Sequence, residues 1–443
     1  MARQTRRSFL KAAALAGFGM PLIRTNAFAG PNDQLRVASI GPGGKGWSDL
    51  NNVAESPHVR VMALCDVDSG PDHQGRAAEK YPDATLYRDW RKLLDAEKVD
   101  AVIVSTPDHM HAPVALAAMR RGLHVYCQKP LTHTIAEARL MTHVAEANGL
   151  TTQMGNQIQS YAEYRTAVQL VHEGAIGKVH RVYSWQAGTP RWPRAIDRPA
   201  GADPIPKTLM WDNWLGVAPE RPYKEKIYHP FNWRGWQDFS NGQLGDFGCH
   251  ILDPVFMSLD LTAPVSIQAQ APKINSETWT ESVRVEYVFP HTSRTSGDKA
   301  GLKVTWIDGP GHKPADELKD VIDPAKLPGS GSMLLGEKGS LLIPHVGTPK
   351  LLPEEQFVDY KMPQLKQQAS HYVLWADACR GEGTTKSNFT YAGNLTETVL
   401  LGTIALRLPG TKLSWDAKSM KIAGHDRATA MLSKEYRKGW ELG

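Results

Sequence analysis

The sequence predicts an α/β protein of two domains, a doubly wound parallel-sheet domain followed by an α/β domain whose large sheet is mostly antiparallel. Three observations carry this. The chain has 443 residues, roughly two to three times a typical domain. Between residues 35 and 148, short β-rich runs alternate with helical stretches, the pattern of right-handed crossovers in a parallel sheet. Beyond about residue 150, long β-rich runs succeed one another with few helices between them.

In order, the first half reads as strands at 35–40, 59–65, 101–105 and 124–127, with helices at 46–54, 74–81, 111–121 and 135–148. Thr134 and Glu137 have capping-box spacing at the start of the last helix. A strand at 151–154 leads into a helix at 163–172. Strands are then expected at 179–187, 265–269, 283–289, 302–306 and 340–343, and late helices at 371–379 and 392–407. The stretch 189–238 is rich in Pro, Trp, Arg and Tyr and reads as a long ordered loop, a length usually associated with function. The expected divisions are 1–29 as a targeting segment, 30–155 as the first domain and 156–443 as the second.

Charge and composition exclude several classes. Arg3, Arg6, Arg7, Lys11 and Arg24 account for the whole net charge of +5, so no nucleic-acid partner is expected. The same segment carries Arg6-Arg7 followed by Ser8-Phe9-Leu10-Lys11, a weakly apolar run at 12–23, and Ala27-Phe28-Ala29. That order matches a twin-arginine export signal with a small-residue cleavage site, which predicts a periplasmic or otherwise extracytoplasmic protein exported already folded, with no membrane anchor after cleavage. Cys65, Cys127, Cys249 and Cys379 are scattered without a CxxC pair, so neither a metal site nor a disulfide framework is expected.

The strand at 35–40 runs straight into Gly41-Pro42-Gly43-Gly44-Lys45-Gly46, and a helix follows. In this GxGxxG turn, Gly41 permits the tight bend, Gly43 and Gly44 let backbone approach a pyrophosphate, and Gly46 lets helix and sheet pack. The helix start presents free N–H groups to phosphate. Asp66 lies at the end of the second strand, where an acid receives ribose hydroxyls. A carboxylate there repels a 2′-phosphate, so NAD is preferred over NADP, a preference Lys45 would soften if it swung toward the ribose.

Two further strands end in chemistry-bearing residues. One is followed by Thr106-Pro107-Asp108-His109-Met110-His111, the next by Gln128-Lys129-Pro130. Both are carboxyl ends of parallel strands, where ligands bind in open α/β sheets. Farther on, Asp246 and His250 are four apart and share one face if 242–253 is helical. A carboxylate beside an imidazole suits proton transfer; the bland alternative is a surface lysine, a helix-start Asp and a buried His.

The ordered set of a GxGxxG turn, an acid after the second strand, TP-x-x-x-H, a QKP triplet and D-x-x-x-H resembles the Gfo/Idh/MocA oxidoreductase superfamily. The segments Tyr228-His229-Pro230-Phe231-Asn232-Trp233-Arg234 and Gly245 to His250 resemble an exported branch of it. The resemblance implies a Rossmann domain and a second domain with an open sheet often used for homo-oligomers; export already folded, away from free NAD, implies that the NAD is tightly bound. The resemblance also implies that Lys129 hydrogen-bonds a reacting hydroxyl, that His250 is the general acid/base and that Asp246 is its companion. Thr106, Pro107, Asp108, His111 and Gln128 fall with the cofactor-binding turns. The commoner triplet is EKP; Gln128 keeps the hydrogen-bonding shape without the charge, which would leave Lys129 easier to deprotonate.

Six of the 13 tryptophans fall between Trp185 and Trp236, and aromatic faces stack on sugar rings. Asn156, Gln157, Trp185, His229, Trp233 and Arg234 are the expected substrate contacts; the alternative is that these rings only staple the loop. Three activities follow. The first is an NAD-dependent sugar dehydrogenase. The second oxidises its sugar only transiently and works as a glycosidase, epimerase or lyase with no net redox change, as export away from free NAD would favour. It ranks behind the first because the NAD-dependent glycosidases of this superfamily differ around the D-x-x-x-H position. The third, a non-catalytic sugar sensor, is disfavoured by Lys129, Asp246 and His250 all being present.

Overall fold

Six short strands, β1 (Leu35–Ile40), β2 (Val59–Cys65), β3 (Thr85–Tyr87), β4 (Ala101–Val104), β5 (His124–Cys127) and β6 (Thr152–Met154), pair in parallel in the order β3-β2-β1-β4-β5-β6. This is the doubly wound order whose chain reversal, between β1 and β4, opens a crevice at the strands' carboxyl ends. The structure is a computed structural model that describes residues 34–441 except 273 and 367. The targeting segment expected at 1–29 lies outside the described residues.

β1 and β4 are buried on both faces, which is why they read as near-continuous apolar runs. The expected capping box is present: Thr134 Oγ1 accepts from Glu137 N–H and the Glu137 carboxylate accepts from Thr134 N–H at 2.8 Å. β3 and the helix Trp90–Ala96, with Asp89 as its N-cap, have no counterpart in the sequence reading. The helix expected at 74–81 is instead a wide turn, Pro71–Gly75, kinked at His73, followed by a short helix, Arg76–Lys80.

The second sheet contains β7 (Val179–Gln186), β8 (Ser266–Gln270), β9 (Val283–Phe289), β10 (Leu302–Asp308), β11 (Ser330–Gly336), β12 (Gly339–Pro344), β13 (Lys350–Leu352), β14 (Lys412–Asp416) and β15 (Lys421–Ala423). Its order is β13-β12-β11-β7-β10-β9-β8-β14-β15, and every pair is antiparallel except β7 with β10. β11, β13, β14 and β15 went unread in the sequence because they are short or glycine-rich. On β7 the alternation of faces sends Val182 into the main core and Tyr183 and Trp185 into a cluster on the other face with Leu318 and Leu327.

The helix Phe389–Leu406 returns to the first sheet and packs on Ile135–Ala147, where Arg139 pairs with the buried Glu397. One apolar cluster therefore runs through both sheets, from Ala38 and Val104 to Val285 and Leu400. No described helix is long and apolar enough to cross a membrane.

The stretch 189–238 has a core of its own. Trp211 stacks on Trp214 with centroids 4.8 Å apart, and Tyr228, Trp236 and Phe239 close around them. Each such ring stabilises the segment by roughly 1.5–3 kcal/mol. The buried Arg221 guanidinium lies 4.7 Å from the Phe239 ring and pairs with Asp238. The segment straps onto the first sheet through Met210 N–H to Val67 C=O at 2.8 Å and Ser69 N–H to Thr208 C=O at 3.0 Å.

Two outcomes follow. A Cβ on Gly46 would lie 1.8 Å from the Gly41 carbonyl oxygen. Gly46→Ala should therefore cost about 1–3 kcal/mol in denaturant melts and weaken NAD in a fluorescence titration; an unchanged midpoint would contradict the packing. Burial pushes the Asp308 carboxyl up to about 7, against the pull of its hydrogen bond from Trp306 and of Arg194. The fold then holds a proton that the unfolded chain has lost, so this group's contribution falls as pH rises from about 4 to 7. Asp308→Asn should raise the melting temperature more at pH 8 than at pH 5, and an equal effect at both would count against it.

Candidate active site

A cavity of about 840 Å³ lies between the two sheets, with the glycine turn on one side and the helix Gly242–Ile251 on the other. Gly41 sits at φ +80°, and a Cβ there would meet the Ser105 carbonyl oxygen at 2.8 Å. Nothing stands within 4 Å of the Cβ position on Gly44, and no side chain caps the helix Lys45–Val53. The turn thus offers open backbone donors at a helix start, a cradle that fits a pyrophosphate.

Asp66 follows β2 and faces the cavity, 8% exposed. Burial raises its carboxyl, while a hydrogen bond from Asp68 N–H and the nearby His73 and His229 oppose the rise. Its place matches that of a ribose-binding acid. Lys45 does not swing toward the ribose: its ammonium is held by Asp49 at 2.7 Å and the Tyr372 hydroxyl at 2.8 Å.

Thr106, Pro107, Asp108 and His111 border the cavity below β4. The two His111 ring nitrogens lie 2.8 Å from the Thr106 and Pro130 carbonyls. Burial lowers its pKa to about 4, so the neutral ring donates to one of the two at a time and braces the turns after β4 and β5. Asp108 accepts from Asn241 N–H at 3.0 Å, and burial, opposed by Lys129, lifts it to about 7.

The residues after β5 divide their roles. Gln128 donates to Asp49 at 2.8 Å, and Asp49 also accepts from the Ser105 hydroxyl. The charge absent at position 128 is thus present in its hydrogen-bond partner. Lys129 Nζ donates to Asp246 Oδ1 at 2.5 Å and to the Asp246 carbonyl at 2.8 Å. Burial opposes the Asp246 charge, but Lys129 and Arg234 outweigh it and hold the carboxyl below its ordinary range. Arg234, with its Nε 3.7 Å from Asp246, lies over Phe231 and Trp233.

Asp246 and His250 share the helix Gly242–Ile251 as their spacing predicts, but the pairing differs from expectation. Asp246 serves Lys129, while His250 Nδ1 is buried without a hydrogen-bond partner. Burial, then Lys129, pushes His250 well below its ordinary pKa, so its ring is neutral. His345, from the loop after β12, lies with its ring 5.9 Å from that of His250.

Of the expected substrate contacts, Gln157, Trp233 and Arg234 reach the cavity. His229 also borders it, but its Nε2 is bound to Asp68 at 2.8 Å, beside the ribose acid instead of Lys129. Two expectations are corrected. Trp185 points to the other face of the second sheet and donates to the Pro328 carbonyl, and Asn156 is wholly buried away from the cavity. Gly46 stands behind the turn, as its packing role requires. The sequence reading missed Asp49, whose signal was its i,i+4 spacing to Lys45, and His73; His345 and Tyr372 arrive from distant segments and left no local signal.

Comparisons with known proteins place the family and the fold. Residues 35–156 match an oxidoreductase-family profile described as an NAD-binding Rossmann fold, and residues 168–326 match the family's C-terminal alpha/beta domain. A glycosyl hydrolase family 109 protein from Solibacter usitatus is 32% identical over 199 residues, 40% of this chain and 45% of that protein. An alpha-N-acetylgalactosaminidase from Tannerella forsythia is 27% identical over 210 residues, 41% and 45% of the two chains. The chain thus spans less than half the length of either relative. In fold, it is similar to an aldose-aldose oxidoreductase from Caulobacter crescentus (TM-score 0.57, 18% identity, 86% of this chain and 99% of that one). It is also similar to a dehydrogenase from Bordetella pertussis solved with NADH and UDP-GlcNAcA (TM-score 0.59, 14% identity, 86% and 99%). The two profiles together cover well over half the sequence, and the chain belongs to the Gfo/Idh/MocA oxidoreductase family.

Proposed function

We propose that this protein is an NAD-dependent oxidoreductase acting on a hydroxyl of a sugar or glycoside. The observation that carries the reading is the convergence of Lys129, from the end of β5, with Asp246 and His250, from one helix of the second half, in the cavity that the glycine turn and Asp66 also border. The turn Gly41–Gly46 would hold the pyrophosphate, Asp66 the ribose hydroxyls, and Thr106 and Pro107 the ring end. NAD, when bound, supplies the hydride acceptor.

The chain's own groups supply position and proton handling. The Lys129 ammonium, fixed by Asp246, presents a donor to the hydroxyl oxygen and stabilises negative charge as it develops there. His250, neutral because it is buried, accepts the hydroxyl proton. Arg234, Trp233 and Gln157 offer a flat face and polar contacts to a sugar ring.

A second reading, transient oxidation with no net redox change, is favoured by two observations. The strap 189–238 is bonded across the ribose end of the cavity, which favours a retained cofactor. The relatives cited above are named a glycosyl hydrolase family 109 protein and an alpha-N-acetylgalactosaminidase. The proposal further includes twin-arginine export to an extracytoplasmic compartment, a small carbohydrate as the partner and self-association through the nine-stranded sheet.

Lys129→Ala should lower kcat/KM by about 10²–10⁴-fold while NAD still binds; unimpaired turnover would sink the assignment. Because His250 is lowered from its ordinary value, its proton-accepting form should persist into acid, and the acid limb of kcat/KM should fall well below the ordinary histidine value. A limb at or above the ordinary histidine value would assign the base elsewhere. Reduced cofactor accumulating in step with substrate consumption supports the dehydrogenase, and sugar release without it supports the second reading.

A further inference from the structure

Asp68, His73 and His229 meet where the strap crosses the first sheet, and the reaction described above uses none of them. Asp68 comes two residues after Asp66 and His73 from the kinked turn Pro71–Gly75, while His229 comes from the strap. One ligand atom from each lies within 4.8 Å of the other two. We propose that these three side chains form a binding site for one divalent transition-metal ion of the imidazole-preferring class, zinc foremost, which ties the strap to the dinucleotide-binding half.

His229 and Asp68 share a hydrogen bond in this structure, and the convergence of His73 on the same carboxylate is what points beyond it. Asp68 Oδ1 is occupied by Gly70 N–H at 2.8 Å, so only Oδ2 is turned toward the histidines. His229 Nε2 lies 2.8 Å from Oδ2, and His73 Nε2 points at the same oxygen from 3.9 Å, beyond hydrogen-bonding range. The two imidazoles lie with centroids 4.8 Å apart and planes tilted by 32°. Two nitrogens and one oxygen thus lie within 4.8 Å of one another. Donors about 2.0–2.2 Å from a tetrahedral ion stand about 3.3–3.6 Å apart, so seating an ion requires His229 to give up its 2.8 Å bond and His73 to move closer. Two imidazoles and a carboxylate suit zinc and its neighbours better than magnesium or calcium, which prefer all-oxygen sets. His73 and His229 both border the cavity, which leaves a fourth position open to water or a ligand oxygen.

The test needs neither cofactor nor substrate, so its failure is separable from failure of the catalytic reading. The purified, chelator-stripped protein is titrated with zinc alone by calorimetry and with cobalt alone by visible absorption. One equivalent per chain is expected, with cobalt bands of a low-coordinate site. His73→Gln and Asp68→Asn, verified as folded by circular dichroism, should each weaken zinc by roughly 30-fold or more; Asp72→Asn, a change at the neighbouring acid, should not. The proposal is overturned if the wild-type chain takes up no zinc, if it binds magnesium as well as zinc, if His73→Gln binds zinc undiminished, or if binding is lost only in Asp72→Asn.

Discussion

The contact between Lys129 and Asp246 governs the site. It joins the end of β5 in the first sheet to a helix above the second, and both side chains are mostly removed from water. An ammonium in such a place is tolerated only beside an opposite charge, and removing one partner of a pair like this typically costs about 3–5 kcal/mol. The pairing also settles what its neighbours do. Burial and the nearby Lys129 charge keep the His250 ring neutral, outweighing the opposing pull of Asp246. In the reaction proposed above, the polarising role of Lys129 and the proton-accepting role of His250 would be kept distinct by this arrangement.

The contact is precise because the two halves share a single core. The helix Phe389–Leu406 is buried along nearly its whole length, packs on Ile135–Ala147 and carries Glu397 to both Arg139 and the Trp415 indole. The last part of the chain therefore braces the first sheet, and the cavity walls are fixed relative to each other by packing. Asp49 has the same function on a smaller scale, gathering Gln128, Ser105 and Lys45 beneath the glycine turn.

Much of this was legible in the sequence where the signal is local. β1, β2 and β5 fall at their expected bounds because their apolar runs are bounded by turn residues, and the capping box at Thr134 is a four-residue pattern. The glycine turn and Asp66 likewise depend on near neighbours. What escaped depends on tertiary placement. A three-residue strand such as β3 shows no period. The face on which Trp185 lies is decided by the register of β7 against β10 and β11, so abundance of tryptophan alone mistook a core ring for a ligand contact. His229 was rightly placed at the cavity but at the wrong end of it, because the strap's course is set by backbone bonds to Val67 and Ser69, more than a hundred residues earlier in the chain. The partner of Asp246 was misread for a similar reason: helical spacing brings His250 close, but a charged amine from another element competes better.

The aromatic nucleus inside the strap has a kinetic consequence. Trp211, Trp214, Tyr228 and Phe239 make the segment a small solid body, in which any opening would be cooperative. A ligand passing beside Asp66 would have to part the two backbone bonds, at Met210 and Ser69, that hold the strap there, each worth about 0.5–1.5 kcal/mol. A gate of this kind would scale entry and exit alike, so it would set the rate of exchange and leave the equilibrium affinity untouched.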